Sequence, residues 1–257
     1  MVKTDHEVAL LRQSALLVSK TLAEVGALVR PGVTTLELDR RAEEFIRDHG
    51  GTSAFKGYKG FPKTLCTSVN SQVVHGIPSA QVVLKDGDII SIDCGVFLNG
   101  YCGDSAYTFE VGEVAEPTRK LLRVTKECLF KGIEMANARN RIGDISFAVQ
   151  QHAERNGFSV VRELVGHGVG TKMHEKPEVP NHGRRGSGVK LQKNMVICIE
   201  PMINKGRRNV VEERDGWTVR AKDNQPSAHF ELTVVVGELQ AEVISTFSFI
   251  EKILNLN

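Results

Sequence analysis

The sequence predicts an α+β fold in two related halves, and three observations carry that expectation. Two helical segments lead into strand-like runs, and beyond residue 112 the same order begins again. Gly50 and Gly157, each closing a second helix, are separated by the same interval as Asp93 and Glu200, each a carboxylate in a strand-like run. Asn99-Gly100 lies between two apolar-rich runs, the strongest short-range signal for a two-residue β-hairpin, because a type I′ turn needs positive φ at both central positions. Sequence identity between the halves is faint, so the repeat rests on the order of elements. We expect a single domain over residues 1–257, with halves of about 1–112 and 113–257.

The elements follow in order. Val8, Leu11, Ala15, Val18, Leu22 and Val25 form a helical stripe across residues 6–29, ended by Pro31-Gly32. Thr34 and Glu37 have capping-box spacing, Leu38, Ala42, Phe45 and Ile46 give the second helix one apolar face, and Gly50 suits its C-terminal end. The glycine-punctuated stretch 51–62 carries Phe55, Tyr58 and Phe61, and reads equally as a stapled surface loop or as one wall of a pocket. Short strands at 65–69 and 72–74 lead to His75-Gly76-Ile77-Pro78 and then to the hairpin. Helices are expected at 117–138 and 144–156, and strands at 159–165, 195–200 and 228–236, with Pro201 stopping the ladder after Glu200. Phe247, Phe249, Ile250, Ile253 and Leu254, in the run 245–257, are expected to dock on the core.

With Asn99-Gly100 as the turn, Leu98 faces Tyr101 and Gly95 faces Asp104. Asp93 shares the face of Gly95 and becomes the diagonal neighbour of Asp104, with Cβ atoms on the order of 7 Å apart. Two like charges on one half-buried face repel, so a bound cation, a shared proton or a basic partner is needed to offset them. The second half adds His167 among glycines, Glu200 at a strand end and Glu231 inside an apolar run. Four carboxylates and one imidazole suit a pair of divalent cations, since two carboxylates can bridge while the other groups complete each ion. Calcium would not favour the histidine, and a single zinc ion would need fewer ligands. Two close ions can share a water and lower its pKa, so the reaction class is metal-assisted hydrolysis.

Composition excludes other classes. Apolar residues make up 41% and charged residues 25%, and the net charge of +2 gives no global reason to expect nucleic acid or a membrane. No apolar run reaches bilayer length, and the first residues lack a signal or transit pattern. Cys66, Cys94, Cys102, Cys128 and Cys198 are odd in number and show no C-x-x-C spacing, which argues for a reducing cytoplasm.

The chain resembles the type I methionine aminopeptidases through V-V-H-G-I-P ending at Pro78, S-I-D-C-G at Ser91, G-Y-C-G-D-S-A at Gly100 and G-H-G-V-G at Gly166. The match continues through H-E-K-P at His174, I-E-P-M at Ile199 and S-A-H-F-E-L-T at Ser227. The resemblance implies a pita-bread fold, two pseudosymmetric halves around a curved antiparallel sheet with helices on the outer face. It implies that Asp93, Asp104, His167, Glu200 and Glu231 hold two divalent ions, with cobalt, manganese, iron, nickel and zinc all open. Glu200 would also relay a proton, His75 would contact the substrate near the scissile nitrogen, and His174 would steady the developing oxyanion. Tyr58, Phe61, Cys66, Met173 and Trp217, with His75 and His174, would line the methionine pocket. Met173 stands where the family usually has phenylalanine, and Phe61 where tyrosine is common. Asn70 and Ser227 match positions that help bind a monovalent cation.

The activity implied is removal of the initiator methionine from nascent chains with a small, uncharged second residue. The absence of a cysteine-rich or polylysine extension, and the short interval from Glu200 to Glu231, match the compact bacterial form. A monomer with no membrane or sequence-specific nucleic-acid partner is expected. The basic segments at Arg184-Arg185 and 205–208 face either the ribosome or plain solvent. The rivals are a proline-specific peptidase, a metal-free creatinase-like hydrolase and a noncatalytic binding module. The first usually carries a large N-terminal domain, and the other two lack the full set of five ligands.

Overall fold

In the computed structural model, which describes residues 1–255, a helix pair precedes the central hairpin and another follows it. Helix α1 (Asp5–Gly26) starts at a capping box: the Thr4 hydroxyl accepts from Glu7 N, and the Glu7 carboxylate accepts from Thr4 N at 2.8 Å. Helix α2 (Thr35–Asp48) repeats the device with Thr34 and Glu37. Helix α3 (Glu116–Glu134) has Pro117 in its first turn, and α4 (Ile142–Arg155) is followed by Gly157 at φ 84°. Both α1 and α3 stop short of their expected ends. Leu28 N bonds to Val25 O and Met135 N to Gly132 O, so each last turn tightens into a 3₁₀ turn.

The hairpin register is as expected. Strand Ile89–Leu98 pairs with Tyr101–Glu110, Leu98 opposite Tyr101 and Gly95 opposite Asp104, with Asn99 and Gly100 both at positive φ. Helix α1 lies directly on this hairpin, where the Ser14 hydroxyl donates to the carbonyls of Tyr101 and Leu98 at 2.9 and 3.1 Å. On the other edge, Leu65–Val69 pairs with Ile89–Leu98. A second large sheet runs in the order Glu242–Val243, Leu232–Val235, Val196–Ile199, Val165–Gly168, Glu175–Pro180. Two three-stranded sheets flank the pair, and every pairing between these named strands is antiparallel. The apolar core joins residues from both helix pairs and both large sheets, with Leu22, Leu38, Ile92, Leu129, Val149 and Ile199 in one cluster.

Two expected strands are divided. The run 228–236 becomes Ser227–His229, paired with Met202–Asn204, and Leu232–Val235, paired with Val196–Ile199. The cause is the partner: Pro201 has no N–H, so the ladder breaks there, and Glu231 bridges Ala106 of the hairpin instead, its N–H 2.9 Å from Ala106 O. The run 159–165 likewise splits into Ser159–Val160 and Val165–Gly168, in different sheets, with Glu163 and Leu164 turning toward a cavity between them.

Near the C-terminus, α5 (Ser248–Ile253) buries Ile250, beside buried Phe247 and partly buried Phe249. Ile253 and Leu254 are exposed rather than docked, and residues 256–257 lie outside the described residues. Among the described residues no helix is long and apolar enough to cross a membrane.

Candidate metal centre

Every residue singled out for the divalent-metal cluster and the methionine pocket lines one cavity of about 320 Å³: Tyr58, Phe61, Cys66, His75, Asp93, Asp104, His167, Met173, His174, Glu200, Trp217 and Glu231. The hairpin contributes the first two carboxylates and the Ala106 bridge brings Glu231 beside them. Glu200 enters from the end of Val196–Ile199, and His167 from the neighbouring strand Val165–Gly168. The glycines around His167 admit the backbones of the neighbouring strands: a Cβ on Gly166 would sit 2.5 Å from Cys198 O, and one on Gly168 2.4 Å from Lys176 O.

This arrangement concentrates negative charge away from water. Asp104 and Glu231 are buried, and Asp93 Oδ1, Asp104 Oδ1 and Glu231 Oε1 have no hydrogen-bond partner. Burial pushes the Asp93 carboxyl up to about 7, and Asp104, Glu200 and Glu231 rise as well, through burial first and then through one another's charge. His167 is held the opposite way. Its Nδ1 donates to Gly168 O at 2.9 Å, because a carbonyl can only accept, so Nε2 keeps its lone pair. That Nε2 lies 3.5 Å from Glu200 Oε1 and 3.7 Å from Asp104 Oδ2. Burial and then His174 push the His167 imidazole down to about 4, leaving it neutral at pH 7.

Unpartnered carboxylate oxygens around a neutral imidazole are what a divalent cation requires, so the residues present fit a metal site. Donor atoms of Asp104, His167, Cys198 and Glu231 lie within 4.8 Å of one another. Cys198 is the unexpected member. Burial and then the charges of Glu231 and Asp104 hold its thiol well above the usual range, and its Sγ lies 3.5 Å from the Thr233 hydroxyl.

The other wall is apolar. Trp217 packs edge-to-face on Phe61 with ring centres 5.1 Å apart, against the apolar cluster that holds buried Cys66 and Met173. Phe55, Tyr58 and Phe61 all reach the cavity, which decides for the pocket-wall reading of their loop. His75 adopts φ 61°, a conformation L-residues seldom take, and burial followed by His174 lowers its pKa to about 4. His174 Nδ1 lies 3.0 Å from the Tyr58 hydroxyl, and its ring stands edge-on to His167.

His229 also lines the cavity and was not singled out from the sequence. It lies two positions before Glu231, inside the quoted S-A-H-F-E-L-T run. Asn70 and Ser227 are neighbours, Ser227 N donating to Asn70 O at 2.9 Å, but neither lines the cavity. The Asn70 amide bonds to Asp88 and Ile89, and the Ser227 hydroxyl to Ile203 O.

The family model of metallopeptidase family M24 matches residues 9–238. A methionine aminopeptidase of Clostridium perfringens is 54% identical over 245 residues, spanning 95% of this chain and 98% of that protein. The crystal structure of methionine aminopeptidase from Rickettsia prowazekii matches with TM-score 0.94 at 39% identity, over 96% of this chain and 99% of its own. A Xaa-Pro dipeptidase from Bacillus anthracis shares the fold at TM-score 0.77 and 22% identity, but this chain covers only 62% of it. The architecture is thus the α+β pita-bread fold, and the chain belongs to metallopeptidase family M24 and, within it, to the methionine aminopeptidases of bacterial type.

Proposed function

We propose that this chain hydrolyses the N-terminal methionine from polypeptides whose second residue is small and uncharged. The observation that carries the reading is the juxtaposition, in one cavity, of a buried carboxylate–imidazole cluster with a wall of Phe61, Cys66, Met173 and Trp217. An apolar wall with aromatic edges and a neutral thiol suits a thioether side chain. We read the chain as one catalytic unit whose two halves each supply carboxylates to the cluster.

Asp93, Asp104, His167, Glu200 and Glu231 would hold a pair of divalent cations, which when bound supply a water of lowered pKa and polarise the scissile carbonyl. Glu200 takes the proton of the attacking water and passes it to the leaving nitrogen. The Tyr58 hydroxyl lies 3.0 Å from His174 Nδ1; by donating there it would keep the imidazole proton on Nε2, placed to be donated to the developing oxyanion. His75, held by its strained backbone, contacts the substrate near the scissile nitrogen. A monovalent cation beside Asn70 and Ser227 would rely on backbone carbonyls, since both side chains are engaged within the chain. The working place of such an enzyme is the cytoplasm, as a monomer meeting nascent chains, with the basic segments at Arg184-Arg185 and 205–208 available for transient ribosome contact.

Methionine release from Met-Ala-Ser and Met-Lys-Ser, by chelator-stripped protein with each divalent metal restored in turn, tests the reading. Metal-dependent release from Met-Ala-Ser alone is expected. Absence of release with every metal, from folded protein, would overturn it.

A further inference from the structure

Glu200 has an imidazole at each of its carboxylate oxygens. His167 Nε2 lies 3.5 Å from Oε1, and His229 Nε2 lies 3.8 Å from Oε2. The two rings are bound differently. His167 has its Nδ1 proton fixed on Gly168 O, which leaves Nε2 bare and suited to a cation. The His229 side chain is 2% exposed, faces the same cavity, and has no hydrogen-bond partner on either ring nitrogen. A neutral imidazole carries one N–H and one lone pair, and an isolated buried pair of such groups needs a partner. The backbone cannot swing His229 away, because Thr108 Oγ1 accepts from its N–H at 3.0 Å and donates to its carbonyl at 2.7 Å.

We propose that His229 is a positioning residue that donates an Nε2–H to Glu200 Oε2, fixing the carboxylate that His167 faces from the other side. The opposite tautomers of the two histidines divide their work: His167 offers a lone pair to the metal, and His229 offers a proton to the ligand. The contact closes by less than one ångström from its present length to reach hydrogen-bond distance, which a small rotation of the Glu200 carboxylate supplies. This inference rests on the reading of Glu200 as ligand and proton relay. Held in this way, Glu200 presents one fixed orientation to both the cations and the attacking water.

The test compares His229→Leu, which keeps bulk without a donor, with His229→Gln, which keeps an N–H. Manganese affinity is measured by titration calorimetry on chelator-stripped protein, beside kcat and KM for Met-Ala-Ser and thermal unfolding. The Leu variant is expected to lose about ten- to hundredfold in manganese affinity and in kcat, with KM little changed, and Gln is expected to restore most of both. A folded Leu variant with wild-type affinity and kcat, or a Gln variant as defective as Leu, overturns the assignment. Nitrogen-15 NMR of histidine-labelled, zinc-loaded wild-type protein decides the matter without any variant: a proton on His229 Nε2 is expected, and a bare Nε2 overturns it. Calorimetry and NMR do not depend on turnover, so a failure of the peptidase reading would be distinguishable from a failure of this one.

Discussion

Replacing Asp104 by asparagine should make the metal-free protein more stable. Asp104 and Glu231 each offer a buried oxygen to a group whose donor atoms lie within 4.8 Å of one another. At that separation and an effective dielectric of about 20, two ionised carboxylates repel by about 3 kcal/mol. Asp93 gives a second measure: its rise from 3.8 to about 7 corresponds to roughly 4 kcal/mol against ionisation. Asparagine keeps the shape and removes one charge, so a gain of about 2 kcal/mol at pH 8, or about 6 °C in Tm for a chain of this size, is expected.

The sign with pH follows from the same shifts. Carboxyls raised by burial keep their protons in the folded, metal-free state after the unfolded chain has released them. Their contribution to wild-type stability is therefore fully present below about pH 4 and is lost as pH rises through about 7. The advantage of asparagine should accordingly shrink at pH 5. Saturating manganese should reverse the order, because wild type gains about 3 kcal/mol at a hundredfold excess over Kd and the variant gains less. Scanning calorimetry at pH 5 and 8, with and without manganese, reads all four conditions. A lower metal-free Tm for Asp104→Asn at pH 8, or equal stabilisation of both proteins by manganese, would refute the reasoning.

Other perturbations probe the frame and the pocket. A Cβ on Gly103 would lie 2.5 Å from Ala15 N and from Ser14 C, both backbone atoms of α1; Gly103→Ala should cost about 3 kcal/mol by denaturant midpoint, since neither atom can move alone. The Lys3 ammonium lies 2.7 Å from Glu175 Oε2, with side chains 8% and 17% exposed. Burial pushes Glu175 up, and the hydrogen bond and charge of Lys3 outweigh it, so its pKa sits below the ordinary carboxylate range. That contribution is present at neutral pH and lost as pH falls through the lowered pKa, so Lys3→Met should cost about 2 kcal/mol at pH 7 and flatten the acid limb of the stability profile. Trp217→Ala should raise KM for Met-Ala-Ser on the order of tenfold and leave manganese affinity unchanged, as steady-state kinetics and calorimetry will show.

Much of this molecule is legible in the chain because short-range chemistry decides it. Asn99-Gly100 fixes the turn, the turn fixes the register, and the register alone brings Asp93 and Asp104 to one face. The Thr34–Glu37 cap was read from spacing, and the same spacing at Thr4 and Glu7 would have placed the start of α1. What escaped was settled by distant partners. The division of 228–236 depends on Pro201 in another strand, and nothing within A-H-F-E-L-T-V-V-V announces it. His229 was hidden for a related reason: one histidine in an apolar run reads as a filler until the fold shows both its nitrogens without a partner, facing Glu200. The helix ends escaped because their last turns tighten after the apolar periodicity has already specified a helix.

Anomalous diffraction at the manganese edge, from crystals of the wild-type protein grown with manganese, tests the centre most directly. Two strong peaks are predicted, enclosed by Asp93, Asp104, His167, Glu200 and Glu231, with the Cys198 sulfur outside bonding distance of both. A single peak, peaks elsewhere, or coordination through Cys198 would contradict a dinuclear carboxylate–imidazole centre.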